Sequence, residues 1–438
     1  MRYLPLTDAE REEMLKDIGI SSVLELFSDI PQVDSKPIEL PVPKNEVEVE
    51  RKLTALAGKN ISAAKIPSFL GAGAYRHHIP ALVDYMIERG EFLTSYTPYQ
   101  PEVSQGTLQI LFEFQTQVAR LFGLDVANAS LYDGASAAFE AAAMAERVTG
   151  RKKIIVSGGV HPQVADTVKS CLQFNGTDCV VLPPDAENTE AIEPVGDEAC
   201  VIVQYPSFFG HVNDYSALAE ACHAKGALLV VVVMEPLALG ILKSPGDMGA
   251  DIAVGEGMGL ASHLNFGGPG LGLFATRKEL VRNMPGRLVG ETKDADGKRG
   301  FVLTMATREQ HIRREKATSN ICTNAGLMAV AFSMHLAMLG EKGFTKLAES
   351  NHARTSRLAS EVAKIPGVTV LNKTFFNELT LKLDRSAAAL VEKMAGHKML
   401  GGVPVSRFYP DKEDLLLVAR TETNNTEEAL HLQEELKK

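Results

Sequence analysis

A chain of 438 residues, 45% apolar and 23% charged, is long enough for a full hydrophobic core and unlike a disordered or collagen-like polypeptide. Its 45 basic and 55 acidic side chains leave a formal net charge of −10, so no global basic field draws it to nucleic acid. The longest purely aliphatic run, 227–234, falls far below the roughly 18 residues of a membrane-spanning helix, so no membrane association is expected.

In chain order, the opening MRYLPLTDAEREEMLKDIG lacks the apolar core of a signal peptide and is too acidic for a transit peptide, which predicts a cytoplasmic protein. Thr7 and Glu10 form a capping-box pattern ahead of a short helix. Short helical patterns then alternate with a proline-rich piece, Pro31 to Pro43, so residues 1–60 read as an arm. Residues 61–312 alternate helices, such as 134–148 and 214–225, with β-branched runs. Those runs are Ile154 to Ser157, Val180 to Leu182, Cys200 to Gln204, Leu228 to Met234, Ile252 to Val254 and Gly272 to Ala275. Apolar strands alternating with helices predict an α/β domain with a mostly parallel sheet. Residues 286–320 read as polar and basic. Residues 313–438 read as a smaller C-terminal α+β domain, with helical patterns over 323–339 and 346–364 and strands at Val368 to Leu371, Glu378 to Leu383 and Leu415 to Ala419. The cysteines, Cys171, Cys179, Cys200, Cys222 and Cys322, include no CxxC pair and fit reduced thiols. No His or Cys pair has ligand spacing, so no metal site is expected, and the adjacent His77 and His78 should diverge.

Four features bear on chemistry. LYDGASAAFEAAAMAERVTG (131–150) places Asp133, Gly134 and Ser136 at the start of an alanine-rich helix, whose free N–H groups and dipole suit an anion such as phosphate. Taken alone, Asp133 reads as an N-cap. His161 follows the strand IIVSGG, where it either stacks on a cofactor ring or is a satisfied loop histidine. Glu235 directly follows an apolar strand, either facing the crevice where α/β folds bind ligands or capping the next turn. AVGEGMGLASHLNFGGPGLGLFAT (253–276) is rich in glycine and permits close backbone approach.

The order of these features is more specific than any one of them. It is the layout of fold type I pyridoxal-phosphate (PLP) enzymes, in which the carboxylate partners the pyridinium nitrogen and a lysine roughly twenty residues later holds the cofactor covalently. Between Glu235 and Met258 the one lysine is Lys243, in the turn LKSPGD, which does not suit a buried Schiff base, and Lys278 lies too late. The expected fold is therefore a PLP-transferase-like large domain whose nucleophile is missing.

Longer segments carry a family resemblance: SFLGAGAYRHHIP (68–80), SYTPYQPEVSQGTLQ (95–109), FGLDVANASLYDGASA (122–137), LNFGGPGLG (264–272), TREQHIRREKATSNICTN (307–324) and LLLVARTETNN (415–425). From Met1 nearly to its end the chain resembles the alpha subunits of the two-subunit glycine cleavage system P-protein. The resemblance implies an enzyme that decarboxylates glycine on PLP and passes the aminomethyl group to the lipoyl arm of H-protein. It also implies an α2β2 heterotetramer in which the beta subunit holds PLP on its lysine, while the alpha subunit is required but noncatalytic and binds no cofactor covalently. Aligned on the Gly-Gly-Pro-Gly turn, that lysine falls opposite Met258. The family commonly has Gln there and Gln after TSNICTN, where this chain has Met258 and Ala325.

On this reading Gly134, Ser136, His161, Glu235 and Met258 outline a vestigial cofactor pocket. In SYTPYQPEVSQG, Tyr96, Tyr99, Glu102, Ser104 and Gln105 make a rigid, polar-tipped surface that lines a lipoyl tunnel or neighbouring active site, or else packs against a subunit. In the following basic segment, Arg308, His311, Arg313, Arg314 and Lys316 either face a cofactor phosphate or acidic partner, or form a solvated face balanced by Glu309 and Glu315. Thr318, Ser319 and Asn320 extend that segment with phosphate-compatible donors. The alternative to an enzyme subunit is a scaffolding or ligand-binding protein on a dead PLP fold.

Overall fold

The computed structural model describes residues 6–30, 39–305 and 308–438, so much of the Pro31–Pro43 piece, and Thr307 in the basic segment, lie outside the described residues. The chain divides into two units, residues 1–61 and 62–438. In the first, helix α1 (Asp8–Ile18) starts at the expected capping box, with Thr7 Oγ1 accepting from the Glu10 N–H at 3.3 Å and Glu10 Oε2 accepting from the Thr7 N–H at 2.6 Å. Helix α2 (Glu46–Ala57) is capped the same way by Asn45 and Glu48. Neither helix carries a buried residue.

The second unit begins with α3 (Ala81–Ile87), α4 (Gly90–Leu93) and the longer α5 (Gln105–Phe122). Its large sheet contains β1 (Val126–Ala127), β2 (Lys153–Val156), β3 (Asp178–Val181), β4 (Cys200–Gln204), β5 (Leu228–Val233), β6 (Ile252–Glu256) and β7 (Gly272–Thr276). The strand order is β1-β7-β6-β5-β4-β2-β3, parallel from β3 through β6 and antiparallel at β7 and β1. Helices α6 (Gly134–Thr149), α7 (Pro162–Leu172), α8 (Ser216–Ala224) and the single turn α9 (Met258–Ala261) lie between the strands.

Central strands are apolar up to their carboxyl ends, where Gln204 and Glu256 stand, because both faces are covered. Val201, Val203, Leu229, Val231 and Val233 enter one core with Phe114 and Val118 of α5, whereas Ile202, Val230, Val232, Ile252 and Val254 enter the other with Ala138 and Ala141 of α6. This two-residue alternation sorts side chains to opposite sides of the sheet.

Residues 286–320 correct the sequence reading, which assigned no strand there. β8 (Leu288–Lys293) and β9 (Arg299–Thr304) form an antiparallel hairpin, followed by the short turn α10 (Gln310–Arg313). Val289 and Phe301 are buried, and the Phe301 ring lies 5.2 Å from Phe112, but charges at Glu291, Lys293 and Arg299 mask the strand pattern. Helix α11 (Gly326–Val362) is interrupted at Gly340, whose φ of 58° favours glycine and separates the two helical patterns read from the sequence. The small antiparallel sheet has strands β10 (Val368–Val370), β11 (Glu378–Leu383), β12 (Val403–Pro404) and β13 (Leu415–Ala419), in the order β10-β11-β13-β12. Helices α12 (Ala387–Gly396) and α13 (Thr426–Leu436) complete its core through Leu390, Met394, Leu432 and Leu436.

Phe332 of α11 is fully buried and meets Phe114 of α5 edge-on at 5.7 Å between ring centres. Phe332→Ala should cost about 3–5 kcal/mol through lost burial and the cavity left behind. Urea unfolding of the variant and the parent protein would measure it, and a loss below about 1 kcal/mol would show that α11 does not anchor this face.

Candidate functional site

The carboxyl ends of the parallel strands place His161 beyond β2, Glu235 beyond β5 and Met258 beyond β6, with Gly134 opening α6 beside them. Each polar anchor of this crevice is engaged by the chain itself. Glu235 Oε2 accepts from His77 Nε2 at 2.9 Å and from Asn377 Nδ2 at 2.8 Å, while Oε1 caps the next turn at the Leu237 N–H. The other His77 nitrogen, Nδ1, lies 3.0 Å from Glu422 Oε2. Glu422 also accepts from Asn351 Nδ2 at 3.0 Å and from the His78 N–H at 2.6 Å. Two carboxylates therefore bracket one imidazole, and the doubly protonated ring donates to both. Burial alone would push His77 down, but Glu235 and Glu422 overcome it and raise it to about 10. For Glu422, burial acts upward, yet the His77 hydrogen bond and charge bring it down to about 2.

A second buried carboxylate lies beside this network. Glu378 accepts from the Ala72 N–H at 2.6 Å and from the Tyr75 hydroxyl at 2.7 Å, and burial raises its carboxyl to about 7. The same turn reaches His161, whose Nε2 donates to the Ala72 carbonyl at 2.8 Å while Nδ1 accepts from the Gln163 N–H at 3.1 Å. His161 thus caps α7 and packs edge-on against Phe208 and Phe408, at 5.0 and 5.7 Å. Both ring nitrogens of His161 are thus satisfied within the chain, and burial pushes its pKa down.

At the start of α6, Asp133 accepts from the Ser136 N–H at 2.7 Å and from its hydroxyl at 3.0 Å. Glu256 accepts from the N–H groups of Gly134, Met258 and Leu271 at 2.9, 2.9 and 2.8 Å, and burial raises its pKa. The helix end is therefore held by two carboxylates, and a phosphate brought there would be repelled by both. These residues do not fit PLP. Glu235 is committed to His77, the helix start already carries negative charge, and position 258 offers a thioether instead of an amine.

Of the other predicted residues, Tyr99 and His311 come together, while the rest are spread over the 96–105 and 308–320 segments. Tyr99 and Thr97 approach α10 and the segment after it: the Tyr99 ring lies 6.4 Å from His311 of α10, and Thr97 Oγ1 is 3.4 Å from Thr323 Oγ1. Tyr96, Glu102 and Asn320 are exposed. Ser104 precedes α5 without a side-chain cap, and Gln105 clamps β9 through its amide, with Nε2 donating to the Phe301 carbonyl and Oε1 accepting from its N–H, each at 2.9 Å. The basic cluster divides. Arg308 turns inward to the carbonyls of Met284 and Gly286, whereas Arg313, Arg314 and Lys316 stay exposed. Ser319 donates to the buried Glu140 of α6 at 2.7 Å, and the Cys322 N–H donates to the Tyr132 hydroxyl at 2.9 Å, so this segment borders the helix that opens the crevice. Thr318 donates its N–H to the Arg308 carbonyl.

Sequence reasoning missed His77, Glu256, Asn377, Glu378 and Glu422. Local cues existed for two of them: Glu256 stands two residues before Met258, and His77 lies within GAGAYRHH. The remaining partners come from distant parts of the chain.

An open, mainly parallel sheet joined to a small antiparallel one defines the class: this is the fold of type I PLP enzymes. Sphingosine-1-phosphate lyase of Burkholderia pseudomallei shares it at a TM-score of 0.63 and 15% identity, covering 93% of each chain. The family is more specific. Residues 1–436 match the model of the glycine cleavage system P-protein. A probable glycine dehydrogenase (decarboxylating) subunit 1 of Rhodospirillum centenum is 59% identical over 97% of this chain and 96% of its own, and that of Rhodospirillum rubrum is 58% identical over 98% of each. A crystal structure of inhibitor-bound glycine decarboxylase (P-protein) of the glycine cleavage system superimposes with a TM-score of 0.91 and 45% identity, covering 100% of this chain and 99% of that one. The chain belongs to the glycine cleavage system P-protein family.

Removing His77 would leave the buried Glu235 and the half-buried Glu422 facing each other without a cation. His77→Ala should cost about 3–5 kcal/mol near neutral pH. Because the folded protein raises the His77 pKa to about 10 from 6.5, its stabilisation is complete below 6.5 and is lost as pH rises toward 10. The parent's advantage over the variant, measured by denaturant unfolding at several pH values, should therefore narrow across that window. A difference that stayed constant from pH 6 to about 10 would mean that His77 is neutral in the fold.

Proposed function

We propose that this chain is the noncatalytic but required alpha subunit of a glycine-decarboxylating P-protein, with PLP held on a lysine of a beta subunit and the two chains assembled as an α2β2 tetramer. The assembled enzyme decarboxylates glycine and delivers the aminomethyl group to the lipoyl arm of H-protein. One observation carries the reading: the crevice of a PLP fold is here committed to its own contacts, with Glu235 on His77, Glu256 on the α6 N-terminus and Met258 at the lysine position. PLP would supply the electron sink for decarboxylation in the partner. Membership of the family, and relatives named as subunit 1, support a partner chain.

In this arrangement the chain's contribution is a surface. Tyr96, Tyr99, Glu102 and Asn320 are exposed and are the groups we assign to the partner's active site or to the lipoyl path. Arg313 and Arg314 are exposed cations suited to an acidic partner surface.

Exchange of labelled bicarbonate into the glycine carboxyl group, with lipoylated H-protein present, tests the proposal. Neither chain alone should support exchange, and the mixture should. Met258→Lys in the isolated chain should remain inactive, because an amine there still lacks a supporting shell. Turnover by this chain alone, or full turnover by the partner alone, would overturn the reading. So would a single stoichiometric adduct on one buried lysine after incubation with PLP and borohydride reduction; only scattered surface labelling is expected.

A further inference from the structure

Arg287, immediately before β8, is a side chain that neither the motifs nor the crevice accounts for. Its residue surface is only 5% exposed, yet its guanidinium serves side chains on two separate segments. Nη2 donates to the Tyr99 hydroxyl at 2.8 Å, and Nη1 donates to Thr323 Oγ1 at 2.7 Å and to Thr97 Oγ1 at 3.1 Å. Nε faces Glu309 Oε2 at 3.6 Å, an ion pair beyond hydrogen-bond length that balances the buried charge. The guanidinium carbon also lies 5.1 Å from the centre of the Tyr99 ring. One planar group thus contacts Tyr99 at both hydroxyl and ring, and joins the 95–105 loop to the segment 308–324.

The arrangement suits arginine and no other residue. A rigid fork can serve Thr323 and Tyr99 at once while Nε stays turned toward Glu309, whereas the point charge of lysine cannot span these positions. Tyr99 is 58% exposed and its loop contains Pro98 and Pro101, so the ring projects from the surface with its hydroxyl secured from below. Without that bond, an exposed tyrosine would sample several rotamers.

We infer that Arg287 is a positioning residue: it holds Tyr99 and Thr323 in one orientation so that the surface they form fits the partner subunit's active-site entrance. The inference rests on the proposed function and adds the residue that sets the geometry of its key surface. It concerns orientation, so its signature is weakened engagement of substrate or H-protein, with little change in the chemical step.

The test uses the assembled complex of this chain with its lysine-bearing partner, assayed for glycine–bicarbonate exchange with lipoylated H-protein. Arg287→Gln and Arg287→Lys should each raise KM for H-protein or glycine about tenfold, the effect of losing one charge-assisted hydrogen bond, with kcat changed less than about threefold. Lysine should fail to rescue although it keeps the charge beside Glu309, and its thermal melting and tetramer assembly should match the parent, which separates positioning from misfolding. Tyr99→Phe should show a smaller rise in KM. Combined with Arg287→Gln it should add less than the product of the two single effects, because both remove the same bond. Parent kinetics for Arg287→Lys, or fully multiplicative effects in the double variant, would overturn the assignment. Tyr99→Ala distinguishes the underlying reading. Full activity of that variant would show that the surface does not serve the partner, whereas a raised KM in Tyr99→Ala with none in Arg287→Lys would sink the Arg287 inference alone.

Discussion

A buried cation between a buried carboxylate, Glu235, and a half-buried one, Glu422, dominates the interior of the second unit. His77 is almost wholly enclosed, and so is Glu235 beside it. Such charges are tolerated only when paired and hydrogen-bonded, because the interior screens them poorly and hydrates them not at all. The pairing here also has a mechanical consequence. Glu235 follows β5 of the large sheet, Asn377 precedes β11 of the small one, and Glu422 lies beyond β13. The imidazolium therefore binds the two sheets across the crevice that separates them, and the 71–78 turn that delivers it runs over the strand ends.

The rest of the crevice is organised around that turn. Ala72 accepts from His161 with its carbonyl and donates to Glu378 with its N–H, while Tyr75 adds a second donor to the same carboxylate. Gly73 has φ of +86°, and a Cβ there would lie 3.0 Å from the His161 ring, so glycine is required for so close a passage. On the proposed function, a fold that elsewhere binds a cofactor has turned its polar anchors into internal joints. Its outward contribution is then a stiffened surface near Tyr99, where Arg287 donates hydrogen bonds to three side chains from one buried position and faces Glu309 as a counter-charge.

How far the fold was legible in the sequence varied with how each element is buried. β4, β5 and β6 are nearly all buried, so they appear as unbroken apolar runs and were read to within a residue or two. The β8–β9 hairpin was not, because its exposed side is charged and only a few of its residues, Val289 and Phe301 among them, reach the core. Helix α5 is legible in Leu108, Leu111, Phe114, Val118 and Phe122, which recur at helical spacing, although the aromatic and proline-rich stretch before it obscures its start. The two-residue strands β1 and β12 have no local signature; they exist only through their pairing with β7 and β13.

The site divides along the same line. Met258, which the family resemblance sets opposite the lysine, was readable directly, since it is a matter of residue identity at one position in an ordered series of motifs. The carboxylate at Glu235 and the helix start at Gly134 were readable as candidates because each adjoins a strong local pattern. Their partners were not. His77 meets Glu422 across 345 positions and Glu235 across 158, Tyr75 meets Glu378 across 303, and Arg287 meets Tyr99 across 188. Local periodicity reports which side of a helix or strand is buried, and it is silent on which distant side chain will stand opposite. That choice is made when the sheets pack, because a buried charge needs its counter-charge within a few ångströms and only the folded chain brings the two together.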